Sequence, residues 1–453
     1  MKGSVDRMKI NIPEHAKKII NVLEQAGFEA YVVGGCVRDS LLKKEPKDWD
    51  ITTSAKPEQV KELFLRTIDT GIQHGTVTVM MDKVGYEVTT YREDGEYKDH
   101  RRPMGVTFTS HLKDDLKRRD FTINAMAYND TEGLVDLFGG KEDLNRGILR
   151  CVGEAKDRFD EDALRILRAL RFSAQLNFEL DEKTKEAMRE KCGFLEDISA
   201  ERIQVELTKL LVSDHPEKLL TGYELGITKV ILPEFDAMME TPQNHPYHCC
   251  NVGMHTMEVV KNIEAEPILR WAALLHDVAK PKCRTQDEEG LDHFYGHNML
   301  GEKMAAEIIK RMKLDNHTLH DVCTLVQHHD DRFQLPIRKS ALKRKLNKIG
   351  PELFLELLKL NKADSLGQAP KTWNEKDEYL KQVRTAYDEV IKEQECFSLK
   401  DLAVSGADLI AAGIKPGKEM GKLLNELLEE VMVHPEKNEK QKLLDMALNK
   451  MEA

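Results

Sequence analysis

The spacing of apolar residues changes once along the chain, near residue 158, and this change limits the folds open to it. In the first 140 residues, short apolar runs typical of strands alternate with segments of helical spacing. From about Arg158 onward, apolar residues recur at three- and four-residue intervals, as in ALRILRALRF and LLNELLEEV. The sequence therefore predicts an α+β protein: a mixed α/β head, then an all-helical neck, body and tail. We expect these four parts at residues 1–150, 151–235, 236–395 and 396–453.

The head pattern predicts a sheet accompanied by helices. Pro13 is a good first-turn residue and Gly27 a plausible C-terminal cap, so they bound the first helix. Two later apolar runs joined by residues 82–85 have the pattern of a hairpin. The predicted elements are helices at 13–27, 37–42 and 56–65, and strands at 28–33, 49–52, 76–81 and 86–91.

The composition says more about the protein's cellular location than about the reaction it could catalyse. The 453 residues hold 68 Lys and Arg against 79 Asp and Glu, and the net charge of −11 argues mildly against a nucleic-acid partner. Locally, however, the stretch from Arg332 to Pro351 carries seven cations and no acid. No apolar run approaches the roughly 18 residues of a membrane span. The N-terminus lacks a secretory signal and the eight cysteines are scattered, so we expect a cytoplasmic protein with reduced thiols.

A glycine pair and two spaced aspartates form the first candidate site. Gly34 and Gly35 end a predicted strand, where a backbone free of side chains can approach a phosphate. Asp48 and Asp50 are two apart on the next strand, so their carboxylates share a face and repel unless a cation lies between them. Hard oxygen ligands of this kind suit Mg²⁺. Glu87 is a candidate third carboxylate, and the alternatives are a plain tight turn and exposed acids on a strand.

A second basic and polar motif follows at residues 118–125, with the sequence RRDFTINA. Guanidinium groups match phosphate oxygens, so Arg118 and Arg119 are candidates to meet a triphosphate. Asp120 and Asn124 are candidates to bond ribose hydroxyls. The alternative is a charged helix start with the aspartate as its cap.

Four segments together resemble one family: GGCVRDSLL with DWD, RRDFTINAMA, DLFGGKEDL and EDALRILRALRF. In this order they are similar to the class II tRNA nucleotidyltransferases, or CCA-adding enzymes, whose close relatives are bacterial poly(A) polymerases. The resemblance implies that Asp48 and Asp50 hold Mg²⁺. It also implies that Gly35, Arg38 and Arg119 contact the bound nucleotide.

The segment EDALR at residues 161–165 has a special role in that family. The resemblance implies that Asp162 and Arg165 hydrogen-bond the base edge of incoming CTP or ATP, with Arg168 and Arg171 extending the nucleotide site. Spacings of three predict that residues 162, 165 and 168 share one broad helix face, next to Glu161. The alternative is a salt bridge on a solvated helix. The polar stretch at residues 92–111 resembles the flexible loop of relatives that add the terminal A, which favours full CCA addition over CC addition.

A second cluster of metal-binding residue types lies in the body. The chain presents a histidine, an HD pair, two more histidines, an HHD triplet and an aspartate, at positions 255, 276–277, 293, 297, 328–330 and 364. Imidazole and carboxylate ligands on several helices suit a divalent metal. The ordered set resembles the HD phosphohydrolases, which implies His255, His276, Asp277 and Asp364 as primary ligands, of Mg²⁺ or a transition metal. His297 and His328 are candidates for a second metal or a phosphate, whereas a purely structural helical body is the alternative.

These features together predict an enzyme that adds C, C and A to a tRNA 3′ end from CTP and ATP, with release of pyrophosphate. A second, HD-type hydrolase activity is expected as an addition. The alternatives are a poly(A) polymerase, an HD phosphohydrolase with a nucleotide-binding head, and an RNA-binding scaffold. Candidate tRNA contacts are the GIKPG turn at residues 413–417 and the basic stretch at 332–348. No membrane partner is expected, and the pattern gives no oligomeric state.

Overall fold

The computed structural model describes residues 9–95, 97–98, 102–103, 105–244, 246, 250–393 and 395–452. The chain divides into two compact units, Met1–Pro233 and Glu234–Ala453. The predicted divisions near 150 and 395 fall inside these units and stay predictions. Across the described residues, every helix is too short or too polar to span a lipid bilayer. The seven cysteines among them are free thiols.

The first unit combines one large sheet with helices. Its strands are β1 (Ala30–Val33), β2 (Ile51–Thr53), β3 (Thr67–Gly71), β4 (Thr76–Met81), β5 (Val84–Thr90), β6 (Arg92–Asp94), β7 (Tyr97–Lys98), β8 (Arg102–Pro103), β9 (Val106–Phe108), β10 (Met126–Asn129), β11 (Gly133–Asp136), β12 (Ile148–Leu149) and β13 (Glu179–Leu180). Its helices are α1 (Glu14–Gln25), α2 (Gly35–Leu41), α3 (Pro57–Leu63), α4 (Leu112–Lys117), α5 (Gly140–Arg146), α6 (Ala155–Glu161), α7 (Leu164–Leu176), α8 (Glu182–Lys191), α9 (Ala200–Leu211), α10 (Leu219–Glu224) and α11 (Ile227–Ile231). The predicted mixed α/β head is confirmed.

Seven strands form the main sheet in the order β11, β10, β1, β2, β5, β4, β3. The β2–β5 pair is parallel, and the other pairs in this sheet are antiparallel. All four residues of β1 are buried, as the run AYVV predicts for a central strand. The sheet is larger than expected, because β3, β10 and β11 were not predicted. Strand β2 also begins at Ile51, two residues later than the predicted strand at 49–52.

The polar stretch after Tyr91 contains an antiparallel ladder where the sequence predicted a loop. Strand β6 pairs with β9, and β7 pairs with β8. Between these pairs the Gly95 N–H donates to the Gly105 carbonyl at 2.9 Å. Part of the predicted loop, at residues 96, 99–101 and 104, lies outside the described residues. The described part is therefore a β-ribbon that extends from the sheet-bearing half of the unit.

The second unit is helical apart from one short strand pair, in the part of it that the structure describes. Its helices are α12 (Pro233–Met239), which begins at the unit boundary, α13 (Val252–Asn262), α14 (Pro267–Leu275), α15 (Lys280–Cys283), α16 (His297–Arg311), α17 (Asn316–His328), α18 (Lys339–Ile349), α19 (Pro351–Leu366), α20 (Trp373–Lys392), α21 (Gly406–Ala411), α22 (Lys418–Val433) and α23 (Lys440–Glu452). The strands are β14 (Thr285–Gln286) and β15 (Asp292–His293). Helix α14 is apolar nearly all round and buries Trp271 completely, so it lies at the centre of the bundle. Residues from Cys396 to Ala447 form a separate apolar cluster.

Candidate active site and metal centre

Gly34 occupies the sharp turn between β1 and α2. Its φ is +80°, a backbone conformation that side chains disfavour. Its N–H donates to the Met126 carbonyl at 3.0 Å, which fixes the turn against β10. A Cβ at this position would lie 3.0 Å from Nη1 of Arg119, and one at Gly35 would lie 3.7 Å from Nη2 of Arg38. The two glycines therefore let two guanidinium groups come close to the backbone.

The two aspartates lie on an extended segment immediately before β2. The Asp50 carbonyl accepts from the Val33 N–H at 3.0 Å, which holds the segment beside β1. In the parallel pair, Ile51 is opposite Val88. Asp50 and Glu87 each precede that pair by one residue, so neighbouring carboxylates project to the same face of the sheet.

Asp48, Asp50 and Glu87 influence one another electrostatically. The Asp50 side chain keeps an exposed edge, but the surrounding protein desolvates its carboxylate. This desolvation, together with the negative charges of Glu87 and Asp48, raises the pKa of Asp50, and Arg119 partly opposes the rise. A carboxylate that two neighbouring carboxylates repel in this way is suited to binding a divalent cation together with them.

A buried aspartate that the sequence analysis did not single out organises the two arginines. Asp115 accepts from Nε and Nη2 of Arg118 at 3.1 and 2.7 Å, and from Nη2 of Arg119 at 3.3 Å. Its other donor is the Thr52 hydroxyl at 3.2 Å, on β2. Burial alone would raise the pKa of Asp115, but Arg119 and Arg118 lower it. Asp115 thus ties both arginines to the strand that follows Asp50.

A continuous chain of hydrogen bonds links α2 to α7. Arg38 Nη1 donates to Asn124 Oδ1 at 2.7 Å, and Asn124 Nδ2 donates to Asp120 Oδ1 at 3.2 Å. Asp120 Oδ2 then accepts from Nε and Nη2 of Arg168 at 2.9 and 2.6 Å. Burial alone would raise the pKa of Asp120, but Arg168 and its hydrogen bonds lower it to about 2. The residues predicted to bond ribose therefore also align two arginines.

Three arginines surround one ring, that of Phe172. The guanidinium carbons of Arg38, Arg168 and Arg171 lie 5.2, 5.4 and 4.1 Å from its centroid. Arg171 also pairs with Glu206, at 3.0 Å between Nε and Oε2. Burial and the charges of Arg168 and Arg38 lower the pKa of Arg171 to about 10, although Glu206 opposes them. This concentration of positive charge is a suitable environment for a polyphosphate.

The two residues expected to recognise the base, Asp162 and Arg165, do not lie on one helix as predicted. Helix α7 begins at Leu164, so Asp162 precedes it and accepts from Nη2 of Arg202 at 2.7 Å. Arg165 instead donates to the carbonyls of Arg158 and Arg118, at 3.0 and 2.9 Å. The predicted shared face at 162, 165 and 168 is therefore wrong, because the chain turns between α6 and α7. Glu161, the remaining candidate here, forms ion pairs with residues 158 and 165.

Four imidazoles converge on one aspartate in the second unit. Oδ2 of Asp277 lies 3.5 and 3.1 Å from Nε2 of His255 and His276. Its Oδ1 lies 3.5 and 3.7 Å from Nε2 of His297 and His329. The two triads, each containing Asp277, have ligand atoms close enough to hold a metal ion, and all five residues are buried. Asp277 therefore stands between two potential ion positions.

The backbone fixes the orientation of each ring. Nδ1 of the four histidines lies 3.0, 2.7, 2.8 and 2.7 Å from the carbonyl oxygens of Gly367, Ala273, Phe294 and Val326, in chain order. A carbonyl only accepts, so Nδ1 carries a proton, and in the neutral ring that binds a metal Nε2 then has the free lone pair. The Nε2 atoms of each pair then face each other at 3.4 and 3.2 Å, an arrangement that a shared cation stabilises. The donor set fits a divalent metal.

Asp364 and Lys280 complete this centre. Asp364 Oδ1 lies 3.0 Å from Nε2 of His255, so all four predicted primary ligands come together. Lys280 Nζ lies 2.7 Å from Oδ2 of Asp277 and donates to Gln243 at 2.9 Å. Burial alone would raise the pKa of Asp277, but His276 and Lys280 lower it well below its usual range.

The structure corrects one ligand. His329, and not the predicted His328, faces Asp277; the Nδ1 of His328 instead bonds Asp331 at 2.7 Å. The two residues are adjacent near the end of α17, so the choice depends on helix phase, which the HHD triplet does not reveal. His293 lies in β15 and bonds Asp287 at 2.8 Å.

Three segments of the chain match known protein families. Residues 30–150 match the family described as Poly A polymerase head domain, and residues 177–239 match an RNA and SrmB-binding site of polymerase A. Residues 291–447 match tRNA nucleotidyltransferase domain 2.

The individual proteins that this chain resembles are CCA-adding enzymes. The chain is 37% identical to a CCA-adding enzyme of Limosilactobacillus fermentum over 96% of both chains. It is 53% identical to that of Lactiplantibacillus plantarum, over 46% of this chain and about half (51%) of that enzyme. The structure is similar to the Bacillus stearothermophilus CCA-adding enzyme in complex with CTP, with a TM-score of 0.73, 29% identity and coverage of 96% and 97% of the two chains. The fold is also that of the Thermotoga maritima CCA-adding enzyme complexed with tRNA, at 21% identity and a TM-score of 0.58. Carboxylates beside a glycine turn, the arginine array and these full-length relatives together identify the chain as a member of the CCA-adding enzyme family of tRNA nucleotidyltransferases.

Proposed function

We propose that the protein adds C, C and A to the 3′ end of tRNA, using CTP and ATP and releasing pyrophosphate. The observation that carries the proposal is the Asp50 carboxylate, which Glu87 and Asp48 repel and Arg119 attracts. We assign Mg²⁺ to Asp48 and Asp50, because oxygen donors suit this ion. When bound, it would lower the pKa of the tRNA 3′-hydroxyl and neutralise charge on the triphosphate.

The protein's own groups position the nucleotide. Gly34 and Gly35 give the triphosphate close access to the backbone, and Arg38, Arg119 and Arg171 supply guanidinium groups to its oxygens. Asp120 and Asn124 hold Arg168 and Arg38 in fixed orientations, so little reorganisation is needed when the anion arrives.

Base selection is assigned to Asp162 and Arg165. Each is held by another residue, Asp162 by Arg202 and Arg165 by two backbone carbonyls. A carboxylate and a guanidinium held in this way offer an acceptor and a set of donors to a base edge. These partners are therefore positioning residues for the choice between CTP and ATP.

An incorporation assay tests the proposal. Purified protein, Mg²⁺ and a tRNA lacking its 3′ CCA are mixed with labelled CTP or ATP, and products are resolved at single-nucleotide length. Ordered addition of three nucleotides is expected, and Asp48→Ala and Asp50→Ala should each abolish it. Long A tracts would instead indicate a poly(A) polymerase. Retention of C and A addition in both variants would contradict the assignment of the carboxylates.

A second function is favoured by the histidine centre: metal-dependent hydrolysis of phosphate esters. A cavity of about 400 Å³ opens onto Asp277, and Lys280, Arg332 and Lys376 line it. Imidazole ligands favour a transition metal such as Fe²⁺, Ni²⁺ or Zn²⁺ over Mg²⁺. The metal would supply an activated water, and the three cations would hold the phosphate.

Two substitutions separate the functions. Asp277→Asn should abolish hydrolysis of p-nitrophenyl phosphate by metal-loaded protein and leave nucleotide addition intact, whereas Asp48→Ala should do the reverse. Loss of both activities in either variant would contradict two independent sites. We place both activities in the cytoplasm, which the seven free thiols support.

A further inference from the structure

A pocket of about 350 Å³ lies between α18, α19 and α20, apart from the histidine centre's ligands. We call it the α18–α20 pocket. Its volume is at the lower end of the ~300–1,000 Å³ typical of small-molecule sites, so it matches a single nucleotide unit better than a folded segment. Arg332 also lines the cavity of the histidine centre, and the activities proposed above use none of the pocket's other lining residues.

One wall of the pocket is aromatic and aliphatic. Phe333 and Phe354 lie 6.4 Å apart between ring centroids, and Tyr379 lines the same wall. The Tyr379 hydroxyl accepts from the Phe333 N–H at 2.7 Å, which fixes the ring and the chain together. Leu357, Leu380 and Val383 complete this wall. The two phenylalanine rings are tilted by 60° and Phe354 is buried, so the aromatic surfaces open to stacking are those of Phe333 and Tyr379.

Cations also line the pocket. Arg332, Arg344, Lys345 and Lys348 line the pocket, and Asp331 is the acid lining it, so the formal balance is 4 − 1 = +3. Lys345 is ion-paired with Asp331. Nε of Arg344 lies 2.6 Å from Oε2 of Glu429, which does not line the pocket. The guanidinium carbon of Arg332 lies 5.5 Å from the Tyr379 ring centroid, so it joins the rim to the aromatic wall.

Lys345 is partly desolvated at the rim of the pocket. Burial lowers the pKa of Lys345 and Lys348 adds to this effect, although Asp331 opposes both. Bringing several cations together around an apolar wall is costly without an anion, and an incoming phosphate would compensate that cost.

We propose that the α18–α20 pocket binds one nucleotide unit, with its base on the wall of Phe333 and Tyr379 and its phosphate at Lys345 and Lys348. The same chemistry is offered by a free nucleoside monophosphate and by one residue of an RNA strand. The pocket is separate from the triphosphate site of the first unit, so its occupancy does not depend on nucleotidyl transfer.

Photo-cross-linking of the full-length protein tests this assignment. 8-Azido-AMP is irradiated with the protein in the presence of a chelator, and labelled peptides are located by mass spectrometry. We expect label on peptides carrying Phe333 or Tyr379, with competition by unmodified AMP. Lys345→Gln/Lys348→Gln should weaken this labelling about tenfold or more, because charge-assisted contacts to phosphate are lost. Lys303→Gln, an exposed lysine on α16 outside the pocket, should label like the unchanged protein.

Two further arms distinguish sources and guard against misfolding. Lys348→Glu changes one exposed residue and should weaken labelling even if the double variant fails to fold. Suppression of labelling by tRNA lacking CCA would support an RNA residue as the ligand, and persistence would support a free nucleotide. Label confined to first-unit peptides, or equal labelling of folded Lys348→Glu protein, would overturn the proposal.

Discussion

Replacing Asp120 with asparagine tests whether one buried carboxylate holds the nucleotide arginines in place. Asp120 accepts two hydrogen bonds from Arg168 and one from Asn124, which in turn holds Arg38. Its pKa falls from 3.8 to about 2, which corresponds to about 2 kcal/mol of stability at neutral pH. Because the folded-state pKa is the lower one, this contribution is present above pH ~4 and is lost as pH falls through ~2. Asp120→Asn should therefore cost the first unit about 2 kcal/mol at pH 7.

Hydrogen exchange measured by mass spectrometry can localise this loss to α7. In the variant, the amides of α7 should exchange about tenfold faster or more than in the unchanged protein. This difference in exchange rate should shrink as the pH approaches 3. KM for CTP and ATP should rise together, since both nucleotides meet the same arginines. Asp214→Asn, an exposed aspartate of the same unit, is the matched control. Unchanged exchange in α7, or a difference that grows at low pH, would refute the reasoning.

Three further predictions concern other parts of the two sites. Gly34→Ala should lower nucleotide addition at least tenfold in kcat/KM with little loss of secondary structure, because its φ is +80° and a Cβ meets Arg119 Nη1 at 3.0 Å; unchanged steady-state kinetics would contradict this. Arg202→Met should change the ratio of C to A addition several-fold by releasing Asp162, whereas Lys209→Met on the same helix should not; equal ratios in primer-extension assays would exclude the positioning role. Adding Ni²⁺ to chelator-treated protein at about 100 times its Kd should stabilise the second unit by about 2.7 kcal/mol, and calorimetry of Asp277→Asn, which removes the carboxylate common to both triads, should show no such gain.

The fold class could be predicted because the change in apolar spacing is a local property of the chain. The helix at 14–25 and the strands at 76–81 and 84–90 follow that pattern closely. Strand β3 was missed since three of its five residues are exposed, so burial imposes no alternation on it. Strand β10 was missed because its sequence, MAYN, contains no β-branched residue and ends on a polar one, although all four residues are buried.

The candidate site was predictable only where chemistry and spacing coincide. Acids two apart beside a glycine pair are visible in the sequence. Asp115 and Arg202 are not, because each acts through a partner that only the folded chain brings near. Which of His328 and His329 faces the metal centre likewise depends on the rotational phase of α17 at its C-terminal end. The helix face expected at Asp162 depended on the residue at which α7 begins.

One oxygen of Asp277 faces one imidazole pair and the other oxygen faces the second pair, so both pairs share a single carboxylate. Removing a histidine disables one half of the centre, whereas any change of the aspartate disables both halves at once. Hydrolysis rates of five single variants, one for each histidine and one for Asp277, would therefore show how many ions the reaction requires. A one-ion reaction leaves one histidine pair dispensable; a two-ion reaction leaves neither.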